Sequence, residues 1–107
     1  MTRLSDEAIK QREQQLLAQE ATQPLGWWWL SFCDPDKPSG QQFLGCSIVQ
    51  ARGFLGAVFT ARQKGCNPGG EVKGSSLPNG LKIDGWTNRL LTREECDEFD
   101  RVTNPAS

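Results

Sequence analysis

Trp86, Asn88 and Arg89 put an aromatic plane, an amide and a planar cation side by side on the chain. Together they could stack on a purine and hold a phosphate with two parallel hydrogen bonds. They read equally well as scaffold, with Trp86 covering the edge of a core and Arg89 paired with Asp84 or Glu71. A second group is the turn Asn67-Pro68-Gly69-Gly70-Glu71. Two adjacent glycines leave backbone N–H groups unshielded and able to point at an anion. The turn lacks the following helix and the Gly-Lys-Ser/Thr ending of a P-loop, and it also reads as a tight helix-to-strand connection. The third group is Trp27-Trp28-Trp29. Strand alternation sends Trp27 and Trp29 to one face and Trp28 to the other, toward a core, a partner or a ligand. The candidate ligand-binding residues are therefore Trp27, Trp29, Asn67, Gly69, Gly70, Trp86, Asn88 and Arg89.

Binding is expected rather than catalysis. The chain has no His and no Tyr, which removes the common general bases and the Ser-His and Cys-His nucleophile pairs. The carboxylates Asp34, Asp36, Glu71 and Asp84 lie in or beside turns, where Asp is commonly a turn former. Cys33, Cys46, Cys66 and Cys96 show no C-x-x-C pairing, so structural thiols are expected and neither a metal nor another cofactor. Twelve basic against thirteen acidic side chains leave a net charge of −1, which gives no general attraction for duplex nucleic acid. No apolar run is long enough for a membrane span, and the start lacks the apolar stretch of a signal peptide, so a cytoplasmic protein is expected.

The elements that must position these groups follow from pattern. Residues 1–26 form an N-terminal helical arm, with Ser5, Asp6 and Glu7 at its start and a thin apolar stripe of Ile9, Leu16, Leu17 and Ala21. It is expected either to dock on a partner subunit or to fray. Residues 27–102 form a single core domain, and 103–107 a frayed tail. Strands are expected over Trp27–Cys33 and Phe43–Ala51, paired as an antiparallel hairpin. The spacing of Phe54, Ala57, Val58 and Ala61 predicts a helix over Gly53–Lys64, with Gly65 as its left-handed cap and Arg62 and Lys64 in its last turn. Arg52 and Arg62 read as solvated. Glu71–Leu77 reads as a third strand and Leu81–Ile83 as a short edge strand. Thr92 and Glu95 make a capping box for a terminal helix carrying Phe99, with Leu91 and Cys96 as a hydrophobic staple. The fold class is α+β: a small, largely antiparallel sheet of three to four strands covered by helices, with the helices on one side.

The segments Trp27-Trp28-Trp29-Leu30-Ser31-Phe32 with Asp34-Pro35, Phe43-Leu44-Gly45, Ile48-Val49, Asn67-Pro68-Gly69-Gly70-Glu71-Val72 and Asn88-Arg89-Leu90-Leu91 resemble a family of small uncharacterised bacteriophage and prophage proteins. The resemblance spans roughly residues 27–100 and implies a setting in an infected bacterial host, with no assigned activity. By analogy with small phage proteins lacking enzyme motifs, it implies a counter-defence factor. The leading expectation is a non-enzymatic homo-oligomer that sequesters a small nucleotide-derived immune signal, stacking its base on tryptophan and holding phosphate with Gly69, Gly70 and Arg89. The alternative is a protein-protein inhibitor of a host defence enzyme or CRISPR effector, with exposed tryptophans as hot spots. A net charge of −1 does not offer the acidic surface that mimicry of nucleic acid needs, which favours the nucleotide reading.

Overall fold

The computed structural model describes residues 6–103. Ser5 at the proposed helix start and residues 104–107 of the proposed tail lie outside the described residues. The element order is α1 (Asp6–Glu20), β1 (Gly26–Cys33), β2 (Phe43–Ala51), α2 (Phe54–Gln63), β3 (Glu71–Ser76), β4 (Leu90–Leu91) and α3 (Arg93–Thr103). The strands form one antiparallel sheet in the order β3-β1-β2-β4. The fold is thus α+β, and the β1–β2 hairpin is its centre.

Alternation along β1 builds two cores rather than one. Trp28, Leu30 and Phe32 point to the face where Val49 and Ala51 of β2 meet Ala57 and Ala61 of α2. Trp27 and Trp29 point to the opposite face, where Cys46 and Ile48 meet Cys96 and Phe99 of α3, together with Ile83 and Leu91. Helices therefore cover both faces, not one. The near-continuous apolar character of β2 has its cause here, because a central strand buried above and below has no polar side. Ser47, fully buried in that run, is satisfied because its hydroxyl donates to the Cys66 carbonyl at 2.5 Å. A bulge between Phe32 and Cys33 offsets the end of the hairpin, opposing Cys33 to Phe43.

The edge strand expected at Leu81–Ile83 is instead an irregular segment whose Ile83 plugs the second core. The fourth strand is the two-residue β4, in which Leu91 pairs with Cys46 and Leu90 with Ser47. Asn88 enters it at φ 60°, donating its backbone N–H to the Ile48 carbonyl at 2.8 Å. Asn is among the few residues that adopt this left-handed conformation at low cost.

Both later helices end as their residues dictate. Gly65 at φ 74° follows α2, its N–H bonded to the Arg62 carbonyl and the Cys66 N–H to that of Ala61, which is a complete Schellman motif. At the start of α3 the Glu95 N–H donates to Thr92 Oγ1 at 3.2 Å, and the Thr92 N–H to Glu95 Oε1 at 3.1 Å. The start of α2 is different, because Gly53 offers no capping side chain. Its orphan donors go to the last residue of α1. Glu20 Oε2 accepts from the Leu55 N–H at 2.9 Å and Oε1 from the Gly56 N–H at 2.8 Å. A carboxylate there also meets the positive end of the helix dipole. Arg52 reinforces the junction by donating to the Gln23 carbonyl at 2.9 Å. Thus α1 docks on α2 of its own chain.

Candidate functional site

A groove of about 530 Å³ opens on the α3 face of the sheet. It exists because α3 lies over β2 and β4, leaving the β1 and β3 side of that face to the segment after β3. Trp29 and Ser31 of β1, Cys46 of β2 and Ser75 of β3 form its floor. Leu77, Pro78 and Leu81 form one wall, and Arg93, Asp97 and Phe99 of α3 the other.

The geometry of the lining is specific. The Trp29 ring stacks on Phe99, with centroids 5.2 Å apart and planes inclined by 19°. Trp86 meets the same Phe99 edge-on at 5.7 Å and 70°. Offset stacking and edge-to-face contact are the two arrangements that aromatic quadrupoles favour. The Arg93 guanidinium lies 5.8 Å from the Phe43 ring centroid at the rim. Among the described residues the lining carries one cation, Arg93, against two carboxylates, Asp97 and Asp100. Serine hydroxyls at 31 and 75 add donors and acceptors. Cys46 and Cys96 are buried in the lining, and burial raises both thiols above their ordinary range.

Of the sequence-derived candidates, only Trp29 lies in this groove. Trp27 borders a separate, smaller hollow of about 320 Å³ with Leu25, Gln50 and Asn79. Trp86 is held within the second core cluster through Phe99. Arg89 is occupied: Nη1 pairs with Glu95 Oε2 at 2.5 Å and Nε donates to the Gly85 carbonyl at 3.0 Å, while its guanidinium sits 5.9 Å from the Trp86 ring. Its partner is thus Glu95 rather than Asp84 or Glu71, and the pair holds the Glu95 carboxyl below its usual range. Asn88 serves the backbone turn into β4.

The glycine turn is likewise committed. The Gly69 N–H donates to Asn67 Oδ1 at 2.9 Å, so this donor already has its acceptor. Gly69 and Gly70 take φ 91° and 74°, and a Cβ on Gly70 would stand 2.4 Å from the Cys33 carbonyl oxygen. The turn is a close crossing over the end of β1. It leads into edge strand β3, whereas Asn88 and Arg89 lead into the opposite edge strand β4. Three strand spacings of about 4.8 Å separate those edges, roughly 14 Å. The two groups do not converge on one ligand position.

Arg93, Asp97, Ser31, Ser75 and Phe99 were not among the candidates read from sequence. The signal available was the spacing of Arg93, Asp97 and Asp100, which places all three along one side of a helix. Comparison with known protein families, curated proteins and solved structures returns no match for this chain.

Proposed function

We propose that this chain is a non-enzymatic binding protein that captures a small nucleotide-derived molecule in the groove between α3 and the sheet. The observation that supports this is the aromatic surface made by Trp29 on the floor stacked on Phe99 of the wall, inside a concave site of about 530 Å³. That volume falls within the range of small-molecule sites, roughly 300 to 1,000 Å³. A planar base lies along such a surface and exchanges hydrogen bonds with fixed polar groups around it, donating to the carboxylate and pairing either way with the hydroxyls. Ser31, Ser75 and Asp97 supply those groups. Arg93 offers a single phosphate partner, and the neighbouring carboxylates oppose further negative charge. A monophosphate or a single diester fits this balance better than a polyphosphate. In the phage setting that the sequence resemblance implies, the role is sequestration of a host immune signal.

The test is mass spectrometry of small molecules released by heat from protein purified out of cells with an active nucleotide-signalling defence. Release of an intact nucleotide that is lost with Trp29→Ala supports the proposal. Recovery of none, with a host protein co-purifying instead, overturns it in favour of inhibition of that protein. For the identified ligand, Trp29→Ala is expected to cost about 1 to 3 kcal/mol of affinity and Trp29→Phe less, since a smaller plane remains. Arg93→Ala is expected to cost about 1.5 to 3 kcal/mol if its guanidinium bonds a charged oxygen. Calorimetry reads both.

A further inference from the structure

Cys46 and Cys96 come from elements distant in sequence, the middle of β2 and the first turn of α3. The β2–β4 register places Leu91 opposite Cys46, and α3 then turns Cys96 back over it. Both thiols are buried in one cluster and both line the groove, and Cys96 Sγ donates to the carbonyl of Leu91, the residue that β4 sets opposite Cys46, at 3.9 Å. Ser31 stands opposite Cys46 in the β1–β2 register and lines the same groove. Cys66 is excluded from this group because it lies in the core on the other face of the sheet.

We propose that Cys46 and Cys96 are a redox pair which hydrogen peroxide, entering through the groove, closes into a disulfide between the floor of the sheet and α3. Cys96 is the attacking sulfur. It is 7% exposed against 2% for Cys46, so it is the sulfur that a small oxidant reaches first. Its thiolate attacks one peroxide oxygen, the O–O bond breaks, and a sulfenic acid and water form once the departing hydroxide takes up a proton. Cys46 then attacks the sulfenic sulfur, so that the S–S bond forms and the S–O bond breaks. The hydroxide that leaves takes the Cys46 proton and departs as a second water. In sum, two thiols lose two electrons and two protons, and one peroxide becomes two waters. Burial keeps both sulfurs protonated for most of the time, which slows the reaction and shields the pair from bulky disulfides that cannot enter the site.

The experiment treats the full reduced chain with hydrogen peroxide and maps its cysteines by peptide mass spectrometry. The expected result is a Cys46–Cys96 linked peptide, a higher melting temperature, and reversal of both by dithiothreitol. In Cys46→Ser the sulfenic acid on Cys96 is expected to persist and to be trapped by dimedone, which is absent from the oxidised native chain. If Cys46→Ser does not fold, the native chain decides by itself. Peroxide that leaves both thiols free, carries either to sulfinic or sulfonic acid, or links either to Cys33 or Cys66 overturns the proposal.

Discussion

At the scale of single residues, several positions are dictated by what a side chain would meet. Ser47 is a polar group inside the apolar centre of β2, tolerated because it reaches the Cys66 carbonyl. Ser47→Ala should destabilise the protein by about 1 to 3 kcal/mol in urea unfolding, because a buried carbonyl loses its donor. Ser47→Cys, with a weaker donor, should fall between. Gly69 and Gly70 separate the two roles a turn glycine can have. A Cβ on Gly69 meets nothing within 4 Å, so Gly69→Ala bears only the strain of positive φ. Gly70→Ala bears that strain and a collision with the Cys33 carbonyl as well. Thermal melts should therefore rank Gly70→Ala as the more damaging, and equal losses would refute the close crossing over β1. The sequence displayed the turn but not this difference. Asn67 and Arg89 looked available for a ligand because their hydrogen-bond donor and ion-pair partner, the Gly69 N–H and Glu95, were not visible as such until the chain folded back.

Elements tell a different story about legibility. The hairpin, α2, β3 and α3 were readable because each carried a local signal: apolar strands around a turn, a helical period closed by Gly65, the glycine turn before Glu71, and the capping box of Thr92 and Glu95. Leu90–Leu91 escaped because two residues show no periodicity, and their strand exists only through pairing with β2. The groove escaped for a related reason: its lining gathers from β1, β3, the following loop and α3, and no local pattern joins them. Two junctions give tests at this scale. Glu20→Ala should release the start of α2 and cost about 0.5 to 2 kcal/mol, the range of a lost N-cap, with faster proteolysis within α1. Glu20→Gln should recover part of this, keeping acceptor atoms without the charge. At the α3 cap, Glu95 is held below its ordinary value of 4.5, chiefly by Arg89 and then by the Thr92 N–H. A lowered folded-state value means that the contribution is complete above the unfolded value and is lost as pH falls through the folded one. Amide exchange at the first turn of α3 should accelerate below that range in the native chain, and Glu95→Gln should remove this acid dependence.

For the whole molecule, the decisive feature is that the two faces of the sheet carry different duties. On one face α2 completes a core, with α1 docked on α2 outside it, and on the other α3 completes a second core while leaving the groove. Deletion of residues 1–20 should consequently lower the melting temperature yet leave affinity for the groove ligand within about twofold, because sites without shared partners act nearly independently. A large loss of affinity on deletion would mean that the faces are coupled. The four tryptophans are all partly buried rather than displayed, so truncating Trp27 or Trp28 should register in stability before it registers in recognition. The sheet order also bears on how the chain reaches this state. β1 finds β2 across a short loop but must wait for β3 to return after α2, so the hairpin is the inexpensive nucleus and the third strand a late arrival. Shaving Val49 should then slow refolding, while shaving Val72 should mainly hasten unfolding, the two mutants bending opposite limbs of the chevron.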